Sequence, residues 1–215
     1  MSIKGVIFDL DGTLLDTIAD LNNSVNYTFE ELGLDTRFSE EDTKARVGNG
    51  IKKLIARCYP DKDEEFLEKA RAVFRKHYDI HFNDYTKPYD GIYELISILK
   101  EMGIKIGVNS NKYDVYTKQL IQKHFEFNSD WVFGQVEELG VKPDPRAANL
   151  IIERMGLDKS EVLYVGDTLV DYQTGKNAGL KVINVLWGFR SLEELREGGV
   201  EEIIEKPLDL LKYID

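Results

Sequence analysis

Asp9 and Asp11 stand two residues apart at the end of the apolar run Val6-Ile7-Phe8. Side chains alternate faces along a strand, so both carboxylates can lean the same way off its carboxyl end. Two carboxylates this close repel each other, and one stays protonated unless a cation sits between them. Oxygen ligands with no His or Cys beside them point to a hard cation, Mg2+. Gly12 lets the backbone turn sharply, and Thr13 offers a hydroxyl to the loop. Both belong to the expected substrate-binding turn.

Three further clusters carry chemistry. Ser110 follows the apolar stretch Ile104–Val108 directly, with Asn111 and Lys112 on the same loop. A hydroxyl and free backbone N–H groups at a strand-to-helix turn can hold phosphate oxygens, or the hydroxyl can simply cap the next helix. Lys142 lies in Val-Lys-Pro-Asp-Pro, pinned between a loop and a proline-started helix. An ammonium fixed there would neutralise a carboxylate and an incoming phosphate. Lys112 and Lys176 are weaker candidates for that task. Gly166 and Asp167 close the run Glu161–Val165, and Asp171 follows one helical turn later, as a fourth acid or as a helix cap.

The string DLDGTLLDT at residues 9–17 resembles the first motif of the haloacid dehalogenase-like phosphohydrolases. Asn109-Ser-Asn-Lys112 resembles their second motif, Lys142-Pro-Asp-Pro145 their third and Gly166-Asp-Thr-Leu-Val-Asp171 their fourth. The resemblance implies that Asp9 attacks phosphorus and that Asp11 handles protons. It implies that Ser110 and Lys142 hold the phosphoryl group. Mg2+ would be held by Asp9, the backbone carbonyl of Asp11 and Asp167, with Asp171 as a direct or water-mediated ligand. An insert between the first and second motifs implies a cap over the site. Arg46-Val-Gly-Asn-Gly50 is similar to the cap loop of phosphoglycolate phosphatase-like members, which makes Asn49, with Arg46 and Lys52, a candidate for substrate contact. The expected reaction is hydrolysis of a small phosphate monoester through an aspartyl-phosphate. A phosphomutase of the beta-phosphoglucomutase type, a pyrophosphatase, a nucleotidase or a non-catalytic scaffold are the alternatives. Thr13 favours the phosphatase.

The elements that must position these residues follow from periodicity. Short apolar runs near 6–8, 104–108, 131–133, 161–165 and 181–186 predict strands. Helical spacing covers 16–34, a segment from Ser39, 51–58, 63–82, 91–102, 115–125, 145–155, 174–178 and 191–197. Asp16 is the expected cap of the first helix, and Asp144 of the helix begun by Pro145. Strands alternating with helices predict an α/β, Rossmann-like parallel sheet. Residues 15–85 hold no evident strand and predict an inserted all-helical cap domain, with the core at 1–14 and 86–215. Every polar cluster named above falls at the carboxyl end of an expected strand, where such sheets bind ligands.

Bulk properties narrow the partners. A net charge of −11 over 215 residues opposes general nucleic-acid binding but not a small phosphorylated metabolite. The single cysteine, Cys58, permits no internal disulfide, which fits a reducing cytoplasm, and it reads as a packing residue. No apolar stretch reaches the roughly 20 residues of a membrane span, and the start of the chain does not read as a signal peptide. A monomer and a homodimer are equally compatible with the sequence.

Overall fold

The computed structural model describes residues 2–214; Met1 and Asp215, the ends of the expected core, lie outside the described residues. In chain order the elements are β1 (Gly5–Phe8), β2 (Leu15–Asp16), α1 (Ile18–Glu31), α2 (Glu40–Lys44), α3 (Gly50–Cys58), α4 (Glu64–His81) and β3 (Lys87–Pro88). They continue with α5 (Ile92–Glu101), β4 (Lys105–Tyr113), α6 (Asp114–His124), β5 (Val132–Gln135), α7 (Arg146–Met155), β6 (Val162–Gly166), α8 (Leu169–Ala178), β7 (Lys181–Val185), α9 (Leu192–Glu197) and β8 (Ile203–Ile204).

Six parallel strands form one sheet in the order β5-β4-β1-β6-β7-β8. Strand β1 is central because all four of its residues are buried, so both of its faces need cover. Its pleat divides the core. Val6 and Phe8 join the apolar layer under α5 and α6, while Ile7 joins the layer under α7 and α8. The strand order reverses at β1: the chain passes from β1 to β4 and β5 on one side and returns from β5 to β6 on the other. Crevices at such reversals, outside the carboxyl strand ends, are where these sheets hold ligands.

Helices α1 to α4 lie between β1 and β4 in sequence and bury a separate apolar cluster, with Leu21, Phe29, Ile55 and Phe74 among its members. Cys58 belongs to that cluster, and burial pushes its thiol up to about 12. The capping box of Ser39 with Asp42 starts α2, and the Asp63 side chain caps α4. The two chain crossings into and out of this segment pair as the antiparallel ribbon β2–β3. Asp20 locks them: its buried carboxylate accepts from the N–H groups of Tyr85 and Thr86 and from the Thr86 hydroxyl.

Several elements differ from expectation. Leu15 and Asp16 are extended, so α1 starts at Ile18 with Thr17 at the N-cap position; the Thr17 side chain makes no cap bond, and the Asp16 carboxylate accepts from the Ile18 N–H at 3.3 Å. Pro145 rather than Asp144 is the N-cap of α7, and Asp144 instead accepts from the Arg146 N–H and guanidinium. Strand β4 runs on through the polar residues Asn109–Tyr113, because Tyr113 still pairs with Gln135 of β5 after a register shift. Helix α8 starts at Leu169, five residues before Thr174, since Thr168 and Asp171 form a capping box. Strand β8 follows α9 as a two-residue edge, with no stretch long enough to show alternation.

Candidate active site

The tips of β1, β4 and β6 and the loop carrying Lys142 converge on one crevice. Asp9, Asp11, Ser110, Asn111, Lys112 and Lys142 line its floor. Leu21 of α1, Val47, Gly48, and Ile51 and Leu54 of α3 line the opposite side, with Thr168 and Phe189 at the edge. The crevice is partly open to solvent, and the centre of a water-sized group can move through about 40 Å³ of it.

Asp9 follows the last residue of β1, and its backbone N–H donates to Val165 of β6 at 2.8 Å. Its Oδ1 accepts from the N–H of Leu10 at 2.7 Å and lies 2.7 Å from Nζ of Lys142. The same Nζ lies 2.7 Å from Oδ1 of Asp171. Carboxylate oxygens of Asp9, Asp167 and Asp171 all fall within 4.8 Å of one another, and all three residues are buried. Three carboxylates against one ammonium leave a formal excess of two negative charges in a dry place. Burial, followed by the Asp171 carboxylate, therefore holds Asp9 well above its ordinary range and raises Asp167 to about 7. A divalent cation on oxygen ligands is the group that removes such an excess, and these three residues could hold one.

Asp167 ends just past β6 and is braced from three sides. The N–H of Phe189 donates to its Oδ2 at 2.8 Å, and the Thr13 hydroxyl approaches its Oδ1 at 3.4 Å. Gly12 supplies the third contact: a Cβ there would sit 2.3 Å from Asp167 Oδ2, and its φ is +84°. Asp171 Oδ2 accepts from the N–H and hydroxyl of Thr168, which fixes the carboxylate that faces Lys142. Thus Asp171 is both the cap residue of α8 and a member of the acidic cluster. Gly166 makes this possible, because a Cβ at 166 would lie 2.2 Å from that of Asp171.

Asp11 points elsewhere. Its Oδ1 lies 2.9 Å from Nζ of Lys112, a buried lysine that also donates to the Tyr78 hydroxyl of α4 at 2.6 Å. Burial works against the Lys112 charge, but Asp11 and Tyr78 overcome it and hold its pKa above the ordinary value. Ser110 is buried on the crevice floor, where its Oγ accepts from the Lys112 N–H. The Asn111 amide is used by backbone: Oδ1 accepts from the Lys142 N–H at 2.7 Å, and Nδ2 donates to the carbonyls of Gly48 and Lys142. Asn111 thereby ties β4, the Lys142 loop and the 46–50 loop together.

The residues expected from the 46–50 loop do not join this crevice. Asn49 lines a neighbouring open cleft and accepts from Arg57. Arg46 lies over the Phe38 ring and donates to backbone carbonyls. Lys52 is exposed, and Lys176 lies exposed over Tyr172. Sequence reading assigned nothing to Tyr78, Thr168, Phe189 or Arg190. Only the fourth motif gave a signal, for Thr168, which lies inside it.

Among the described residues no helix is long and apolar enough to cross a membrane. A family model described as haloacid dehalogenase-like hydrolase matches residues 6–185. A phosphoglycolate phosphatase of Aquifex aeolicus is 34% identical over 99% of this chain and 97% of its own length. A pyrophosphatase PpaX of Listeria monocytogenes is 30% identical over 99% of this chain and 96% of its own. An N-acetylmuramic acid 6-phosphate phosphatase of Pseudomonas aeruginosa is 30% identical over 100% and 96%. A crystal structure of a candidate phosphoglycolate phosphatase from Lactobacillus delbrueckii superposes with a TM-score of 0.92 at 29% identity, covering 100% of this chain and 99% of that one. The match runs from Val6 in β1 to the end of β7, and it takes in all four polar clusters: this chain belongs to the haloacid dehalogenase-like hydrolases.

Proposed function

We propose that the protein hydrolyses small phosphate monoesters through a phosphorylated Asp9. The observation that carries this reading is the Asp9 carboxylate, held 2.7 Å from the Lys142 ammonium at the floor of a crevice and adjoining two further buried acids. The activities for which the relatives are named, although their substrates differ, all cleave a bond to phosphorus.

Asp9 Oδ attacks phosphorus, and the bond from phosphorus to the ester oxygen breaks as the aspartyl-phosphate forms. Asp11 gives a proton to the departing alkoxide and then takes one from the water that cleaves the acyl phosphate, which returns Asp9 and releases inorganic phosphate. Lys142, positioned by Asp9, Asp171 and the Asn111 amide, and the Ser110 hydroxyl hold phosphoryl oxygens as charge builds on them. Asp9 and Asp167, with Asp171 behind them, would hold Mg2+, which when bound would neutralise negative charge on the nucleophile and the phosphate. The backbone carbonyl of Asp11 is a further oxygen ligand in this reading. Gly12 and Thr13 keep Asp167 in place. Helices α1 to α4 act as a cap that shields the acyl phosphate from stray water.

The test is phosphate release from p-nitrophenyl phosphate with Mg2+, comparing wild type with Asp9→Asn. Loss of about 1,000-fold or more is the expected result for removing a nucleophile. Near wild-type turnover of Asp9→Asn would overturn the assignment. Release of free phosphate, rather than interconversion of sugar phosphates, separates the hydrolase from a mutase.

A further inference from the structure

The side of the crevice opposite Asp9 bears on which ester enters, and this inference rests on the phosphatase reading. That side is built from Leu21, Val47, Ile51 and Leu54, with Gly48 and Gly50 contributing only backbone. Two cationic residues line the crevice, Lys112 and Lys142, and each ammonium is already within 2.9 Å of a carboxylate. The nearest arginines are turned to other work. Arg190 donates to the carbonyls of Lys44 and Val47, Arg57 to the carbonyl of Arg46, and Arg46 lies over Phe38. Arg57 and Arg190 line the adjoining cleft, not this crevice.

A monoester brings its phosphoryl group to the polar floor, so its leaving group must meet the apolar side. We propose that this leaving group is uncharged: the site takes phosphate esters of small neutral alcohols, their carbon atoms against Leu21, Ile51 and Leu54. An ester that carries a carboxylate, or a second phosphate, would bury that charge among aliphatic side chains with no cation to meet it. The apolar side does not penalise a CH2 or a CH3 group.

A matched pair of substrates decides it. 2-Hydroxyethyl phosphate and 2-phosphoglycolate differ only in a CH2OH group against a carboxylate. With the Mg2+-loaded wild type, kcat/KM for 2-hydroxyethyl phosphate should exceed that for 2-phosphoglycolate by roughly 30-fold or more, the effect of leaving one charge buried and unpaired. Pyrophosphate should be equally poor. Ile51→Lys, which places an ammonium on the apolar side, should narrow or reverse the ratio. Equal or better turnover of 2-phosphoglycolate or pyrophosphate by the wild type would overturn the inference and leave the phosphatase reading standing. Absence of turnover on every ester, p-nitrophenyl phosphate included, would overturn the phosphatase reading and this inference with it. The wild-type ratio decides the matter even if Ile51→Lys fails to fold.

Discussion

Lys112 donates from Nζ to the hydroxyl of Tyr78 at 2.6 Å, joining the polar end of β4 to the last turn of α4. The same ammonium faces Asp11 at 2.9 Å. One buried cation therefore spans the helical segment and the proposed acid–base carboxylate. If α4 moves away, Lys112 loses an acceptor and Asp11 loses the group that holds its counter-charge in place. The position of the helical segment and the setting of Asp11 are linked through this one side chain.

Tyr78→Phe tests that link with little change in packing, because the ring keeps its contacts with Phe74, Phe82 and Tyr116. Losing an acceptor for a buried charged donor costs about 1.5–3 kcal/mol. For a chain of this size that is a fall of roughly 5 °C in Tm. Turnover should drop several-fold, with kcat affected more than KM, because the bond meets Asp11 rather than the substrate. Lys112→Met should lower kcat further, since it leaves Asp11 without its cation. If Tyr78→Phe melts and turns over as wild type does, the hydroxyl plays no part in either.

What could be read from the sequence follows from how local each signal is. Asp9 and Asp167 were legible because each ends a short apolar run, and a strand tip is fixed by its own few residues. Lys142 was legible because flanking prolines restrict it. Tyr78 was not, since it shares the stripe of Ala70 and Phe74 on α4 and its partner Lys112 is 34 positions away. Asn49 was misplaced for a similar reason. The sequence shows the loop, but which way its residues turn is set by Arg57 and Arg190, which hold the consecutive carbonyls of Arg46 and Val47 at its start. Strands β2, β3 and β8 have two residues each, too short to carry a period, and they exist only through pairing.

The acidic cluster makes a prediction about pH and metal. Burial, then Asp171, raises Asp167 to about 7, above the ordinary carboxylate value. The native state thus binds more protons than the unfolded chain between about pH 4 and 7, and stability falls as pH rises through that window. Without divalent cations, Tm should decline from pH 5 to pH 8. Mg2+ should restore roughly 5 °C or more at pH 8 and much less at pH 5. Asp167→Asn removes the repelled charge, so its metal-free Tm at pH 8 should exceed that of wild type and should respond little to Mg2+. A thermal melt series over pH, with Mg2+ and with chelator, reads all of this. A wild-type Tm indifferent to Mg2+ at pH 8 would show that the cluster does not hold the ion.

Gly12 carries a prediction about geometry rather than charge. Its φ of +84° already disfavours any side chain, at about 1–2 kcal/mol. A methyl group would also press on Asp167, at 2.3 Å from Oδ2. Gly12→Ala should lower stability and should displace Asp167 enough to reduce turnover by about 100-fold, the effect of a misplacement near 1 Å. The Mg2+ concentration for half-maximal activity should rise with it. That second readout separates a moved carboxylate from a merely less stable protein, which would show normal metal dependence at low temperature.

Arg190 makes the last case, because its hydrogen bonds near the proposed site all go to backbone carbonyls, while its charge also acts on Asp167. Its guanidinium donates to the carbonyls of Lys44 at 2.7 Å and Val47 at 2.6 Å, and the preceding residue, Phe189, donates its N–H to Asp167. The 44–47 segment of the helical unit is therefore clamped to the same short stretch that braces Asp167. Arg190→Ala frees that segment, whose Val47 and Gly48 line the crevice. KM should rise about 10-fold while kcat changes less, since the reacting groups keep their own partners. Arg190→Lys should fall between the two, because an ammonium lacks the planar fork that reaches both carbonyls at once. A loss confined to kcat would place Arg190 in the chemistry instead, and equal KM values for all three proteins would mean that the clamp does not govern substrate entry.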